Sequence, residues 1–134
     1  MDVTKTETME IRSADQVVKA RQVVRQWAAE LAFNLVDQTK LVTAASELAR
    51  NTLIHGGGGQ LELQVVQNGS RHGLRLVFTD SGPGIAQLEL AMRDGYTTGS
   101  GLGLGLGGSK RLVNDFEIRS RPGEGTRVCI ARWK

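Results

Sequence analysis

With 134 residues, 40% hydrophobic and 23% charged, the chain has the make-up of one folded domain over residues 1–134, and too little bias for a disordered tail or low-complexity array. A net charge of +3 and an isoelectric point near 9.4 lean basic, but the lysines and arginines are scattered, so no nucleic-acid partner is expected. The single cysteine, Cys129, excludes an intrachain disulfide and a cysteine-rich zinc site. The N-terminal "MDVTKTETMEIRS" lacks a signal-peptide pattern and no apolar run nears the roughly 18 residues of a membrane span, so a cytoplasmic protein without a membrane partner is expected.

A short strand is expected around "MEIR". Ser13, followed three residues later by Gln16, forms a capping-box pattern that opens a helix. Val17, Ala20, Val24, Trp27, Ala28 and Leu31 recur at helical spacing and predict its core stripe, with Lys19, Arg25 and Glu30 facing water. A second helix, with Asp37 as its cap, runs through "QTKLVTAASELARNTLIH" to the glycines at 56–59, and buries Leu41, Ala45, Leu48 and Thr52. "QLELQVVQ" and "GLRLVFTD" read as an antiparallel hairpin about the turn "NGSRHG", which would hold His72. A short helical piece, "AQLELAMRDG", a glycine run, a helix over "SKRLVNDF", and the strands "FEIRS" and "TRVCIARW" joined by "RPGEG" complete the order. Cys129, in that last apolar run, reads as a buried inert thiol. The order predicts an α/β two-layer sandwich: a mixed, largely antiparallel sheet with helices on one face.

Three segments carry candidate chemistry. Glu47 and Asn51 stand four residues apart, so their side chains share a helix face and could meet one ligand, although the pair is equally at home on a solvated face. Asp80 ends a strand in "TDSGPGI"; its carboxylate could accept from an amino group, or the segment could be an Asx turn with Pro83 and its glycines as turn residues. The run "TGSGLGLGLGGSK" concentrates glycines, each costing about 0.5–1 kcal/mol relative to alanine inside a helix or strand. A loop directly before a helix has a use for them, because it offers backbone N–H groups and the positive end of the helix dipole to phosphate oxygens. It is not a Walker A loop, since Lys110 follows Ser109 and the Gly-Lys-Ser/Thr order is absent. Gly103, Gly105 and Gly108 match the dinucleotide fingerprint in letters only, because the preceding "RDGYTTGS" is polar and no buried strand. Leu102, Leu104 and Leu106 alternate with the glycines and are expected to anchor the loop to the core.

Taken in order, "ELARN", "DSGPG" and "GSGLGLG" resemble the N, G1 and G2 boxes of the Bergerat-fold (GHKL) ATPases, the superfamily of gyrase, Hsp90, histidine kinases and MutL. Within it, "ELARN…GGG…DSGPGI…DGYTTGSGLGLGL" is most similar to the small bacterial serine/threonine kinases of partner-switching and stressosome systems. The resemblance implies a Bergerat ATP-binding fold and the cofactors ATP and Mg²⁺. It implies that Asn51 helps hold Mg²⁺, that Asp80 accepts from the adenine amino group, and that Gly82 and Gly84 allow close approach to the base. Gly101, Gly103 and Gly105 would wrap the phosphates, with Gly99 and Leu102 also among the nucleotide-binding residues, Thr126 would support adenine through water, and Glu47 sits where the family's base does.

The implied activity is transfer of phosphate from ATP to a STAS-domain antagonist or scaffold protein, with a PP2C-type phosphatase or a sigma factor as further partner. The alternative is an anti-sigma factor that sequesters a sigma factor, with ATP controlling release. Either way the glycine run has its use only when its N–H groups find phosphate acceptors. Hydrogen exchange between Gly95 and Gly108 is therefore expected to slow on adding Mg-ATP, and protection that nucleotide leaves unchanged would make the run a purely structural loop.

Overall fold

The computed structural model describes residues 1–85, 92 and 106–134. Among them the order is β1 (Asp2–Ile11), α1 (Ala14–Glu30), α2 (Leu35–Ile54), β2 (Gly59–Asn68), β3 (Arg71–Asp80), α3 (Leu106–Arg111), β4 (Asp115–Ser120) and β5 (Thr126–Trp133). The helical piece expected over "AQLELAMRDG" lies, apart from Met92, outside the described residues.

Ser13 caps α1: its hydroxyl accepts from the Gln16 N–H at 3.2 Å, and the Gln16 side chain accepts from the Arg12 N–H at 2.6 Å. The reciprocal bond thus reaches one residue ahead of the cap and fastens the end of β1 to the start of the helix. Ala20, Val24, Trp27 and Ala28 form the buried stripe, and the Lys5 ammonium stands 4.0 Å over the Trp27 ring. Ala32, at a φ of 62°, reverses the chain and turns Phe33 into the core. The cap of α2 is Asn34 rather than Asp37: the Asn34 carbonyl accepts from the Asp37 N–H at 2.8 Å. Asp37 is the third helical residue, where its N–H is the orphan donor that a cap must satisfy, so its carboxylate is left for another partner.

The sheet runs β1-β2-β3-β5-β4, and every pairing among the described residues is antiparallel, which corrects the expectation of a mixed sheet. The cause is the helix count between β1 and β2. α1 leads the chain away and α2 returns it, so β2 starts beside the end of β1, with Gly59 opposite Ile11. The expected β2–β3 hairpin is present with a tighter turn. Gly69 and Ser70 alone connect the strands, Gly69 adopts the left-handed φ of 63° that such a loop requires, and His72 is an exposed residue of β3 opposite Gln67.

One face of the sheet is apolar. Ile11, Leu61, Leu63, Val65, Leu74, Leu76, Phe78, Val128 and Ile130 alternate along their strands and pack with Leu41, Ala45 and Leu48 of α2 and the α1 stripe in one core. The alternate positions, including Glu10, Glu62, Gln64, Arg75, Glu117 and Arg127, make the other face polar. Cys129 lies on that face and is only half-buried, less than expected; burial raises its thiol pKa, with Arg75 and Arg127 pulling the other way, so the protonated, weakly reactive form dominates at neutral pH. No helix among the described residues is long and apolar enough to cross a membrane.

α3 begins at Leu106 and ends at Arg111, earlier at both ends than "SKRLVNDF" suggests, with Gly107 and Gly108 in its first turn. Arg132 of β5 ties the layers together. Its guanidinium donates to Asp37 Oδ1 at 2.6 Å and to the Leu112 carbonyl at 2.9 Å, joining the last strand to the start of α2 and the end of α3. Both side chains of this ion pair are largely shielded, at 15% and 25% exposure, so losing one partner strands the other charge away from water. Asp37→Ala is therefore expected to lower unfolding stability by about 1–3 kcal/mol in denaturant titration.

Candidate functional site

The antiparallel register collects five strand ends at one edge of the fold. Ile11 pairs with Gly59, Gly59 with Asp80, Asp80 with Thr126, and Thr126 with Ser120, a single row across the whole sheet. Asp80, Thr126 and Ser120 stand on the same face as Phe78, Val128 and Ile118, so this row is the polar end of an otherwise apolar surface. The last turns of α2 lie over it. Leu48, Asn51, Thr52, His55 and Gly56 from the helix, Phe78, Asp80, Thr126 and Val128 from the sheet, and Gly84, Ile85 and Leu106 together line one cleft. Its floor is hydrocarbon, and the polar groups converge at its rim, the usual build of a small-molecule site.

Close backbone approach holds the rim. A Cβ at Gly56 would fall on the Asp80 carboxylate, and one at Gly82 would come within 2.6 Å of the Gly56 carbonyl oxygen. Asp80 Oδ1 accepts from the Gly82 N–H at 2.9 Å, which orients the carboxyl group. The segment after β3 is sewn to the β4–β5 turn: the Gly123 N–H donates to the Pro83 carbonyl at 2.7 Å and the Ile85 N–H to Ser120 Oγ at 2.8 Å. Gly84 sits at a φ of 75° with the Arg121 carbonyl where its side chain would be.

Asn51, Asp80, Gly84 and Thr126, drawn from four separate segments, thus meet around one cleft. Gly82 adjoins it and is needed there for its contacts with Gly56 and Asp80. Glu47 is one helical turn before Asn51 and is not among the lining residues; its carboxylate, 36% exposed, is 3.7 Å from the Arg50 guanidinium. Gly99, Gly101, Leu102, Gly103 and Gly105 lie outside the described residues. Of the leucines expected to anchor the glycine run, Leu106 does so, at 2% exposure in the core and at the cleft wall; Leu102 and Leu104 lie outside the described residues. The residues that sequence reasoning did not assign to the site are Thr52, His55, Ile85 and Ser120. Thr52 carried a signal as the polar residue of the buried helix stripe, and Ser120 as a hydroxyl at the end of an alternating strand.

Residues 36–134 match the family of histidine kinase-, DNA gyrase B- and HSP90-like ATPases. The chain belongs to this ATPase family. It is 44% identical over 117 residues to the serine/threonine-protein kinase RsbT of Bacillus subtilis (strain 168), across 87% of this chain and 88% of the other. It is 28% identical over 120 residues to an anti-sigma F factor of Thermoanaerobacter sp. (strain X514), across 85% and 82%. The fold superimposes on the RsbU and RsbW domains of a Mycobacterium tuberculosis protein with a TM-score of 0.66 at 19% identity, over 98% of this chain and 33% of that longer one. This ATPase is a serine/threonine protein kinase of the partner-switching family, to which the anti-sigma factors belong as well.

For this kinase, the contact between Gly56 and Asp80 joins the end of α2 to the rim of the cleft. Gly56→Ala places a methyl group against the Asp80 carboxylate, so one of them must shift, a strain of about 1–3 kcal/mol. Calorimetry is expected to show ATP affinity reduced about tenfold or more, with the far-ultraviolet dichroism of the fold retained.

Proposed function

We propose that the kinase transfers the γ-phosphoryl group of Mg-ATP to a serine or threonine hydroxyl of a STAS-domain antagonist or scaffold protein, in a bacterial partner-switching pathway of stressosome type. A PP2C-type phosphatase would reverse the mark. The observation that carries this reading is the convergence of Asn51, Asp80, Gly84 and Thr126 on one apolar-floored cleft. Asp80, with Oδ1 committed to the Gly82 N–H, keeps Oδ2 to accept from an exocyclic amino group and repels a carbonyl in the same place.

The donor set suits magnesium. A magnesium ion beside nucleotide phosphates keeps several waters and takes only one or two protein oxygens, one of which the Asn51 amide at the cleft can provide. When bound, the ion neutralises charge on the phosphates. Glu47, on the Asn51 face of α2, is the base that takes the proton of the attacking hydroxyl. The bond from that oxygen to the γ-phosphorus forms as the bond to the bridging oxygen breaks, and ADP leaves with the electron pair. The glycine run 99–105 supplies N–H donors to the phosphates.

The similarity to an anti-sigma F factor favours a second reading in which the chain holds a sigma factor and nucleotide controls release. Single-turnover transfer of labelled γ-phosphate to a co-purified STAS protein separates the two. Glu47→Gln keeps size and polarity and removes the proton acceptor, so transfer is expected to fall about 10²–10⁴-fold with ATP affinity little changed. Transfer by Glu47→Gln at the wild-type rate would remove Glu47 from the role of base. A wild-type chain that labels no STAS protein and retains a sigma factor would establish the second reading.

A further inference from the structure

Ser120 belongs to none of the three motif segments, yet it is the best-connected hydroxyl at the rim of the cleft. Among the described residues its Oγ lies 2.8 Å from the Ile85 N–H, 3.2 Å from the Gly125 carbonyl oxygen and 2.7 Å from Thr126 Oγ1. A hydroxyl has one proton to give and lone pairs to accept with, so these contacts are not interchangeable. The Ile85 amide can only donate. Gly125 is a buried residue, and Ser120 donates to its carbonyl oxygen. With the Ser120 proton spent on Gly125, the 2.7 Å contact closes only if Thr126 donates to Ser120.

We propose that Ser120 is a positioning residue that turns the Thr126 proton away from the cleft and so makes the cleft selective for a purine carrying an amino group rather than a carbonyl at position 6. The proposal rests on the reading of this cleft as the adenine site. Thr126 lines the cleft and Ser120 stands behind it in the next strand of the same row, opposite Thr126 in register. With its proton held by Ser120, Thr126 Oγ1 offers the cleft lone pairs only. Asp80, its register partner on the other side, is likewise an acceptor. Two neighbouring acceptors favour an amino group, directly or through a water that donates to them, and leave the carbonyl oxygen of a 6-oxo purine facing lone pairs, with only the purine's own N1–H beside it able to donate. Removing the Ser120 hydroxyl frees the Thr126 hydroxyl to rotate and donate to that carbonyl.

The probes are ATP and inosine triphosphate, which carry an amino group and a carbonyl respectively at position 6, titrated calorimetrically against the wild type, Ser120→Ala, Thr126→Val and the double variant. Ser120→Ala is expected to reduce the preference for ATP about three- to tenfold, the worth of one hydrogen bond. Ser120→Thr keeps the hydroxyl and is expected to retain the preference. In the Thr126→Val background, Ser120→Ala is expected to have no further effect on preference, because Ser120 acts through Thr126. If Ser120→Ala weakens both nucleotides by the same factor, or changes the preference equally with and without Thr126, Ser120 merely anchors Ile85 and the proposal falls while the adenine reading stands. A wild type that binds both nucleotides equally would overturn the adenine reading and the proposal with it.

Discussion

The fold hangs on one register. Pairing Gly59 with Asp80, Asp80 with Thr126, and Thr126 with Ser120 aligns three polar side chains at the end of an apolar sheet face. A slip of one residue in any of these pairings would turn a polar group to the opposite face and a hydrophobic one to water. The core therefore enforces the site: Phe78 and Val128, one step inside Asp80 and Thr126 on the same face, are buried at 2% and 5% exposure, and their burial holds the row in place. Stability and site geometry are here the same constraint.

α2 is the second half of that arrangement. Leu41, Ala45, Leu48 and Thr52 bury one stripe against the sheet, and the same stripe delivers Leu48, Asn51, Thr52 and His55 to the cleft as the helix ends. The helix can come so close because the crowded positions lack side chains. Gly56 lies against Asp80, and Gly59 leaves room for the Thr52 methyl group and the Thr79 carbonyl. At its other end Asp37 meets Arg132, so an ion pair at the start of the helix and a steric fit at its end set where the last turns fall relative to the sheet. A shift of α2 along its axis would break the first and collide at the second.

The polar rim is likewise over-determined. Asp80 is oriented by the Gly82 N–H, and Thr126 by Ser120, which also receives the Ile85 N–H; Gly123 fastens the Pro83 carbonyl to the β4–β5 turn. Groups held this way lose little freedom when a ligand arrives, so more of each new hydrogen bond is realised as affinity.

Much of this was legible in the sequence because it rests on local chemistry. The Ser13–Gln16 cap, the two helical stripes and the hairpin between β2 and β3 are set by spacing and residue type alone, whereas the naming of the fold and the choice of Asn51, Asp80 and Thr126, which the structure brings to one cleft, came from the family resemblance. The misreadings were of partners distant along the chain. Asp37 looks like a cap until Arg132, 95 residues on, is brought against it, and Asn34 takes the cap because only its carbonyl faces the free N–H. His72 looks like a turn residue until β3 finds its full pairing with β2. The antiparallel direction of the sheet came from the return of α2 over α1, and the role of Ser120 from a row that joins three strands. Spacing determines which residues share an element and a face. Which elements meet, and so which hydroxyl gives its proton to which oxygen, depends on long-range packing that only the folded chain supplies.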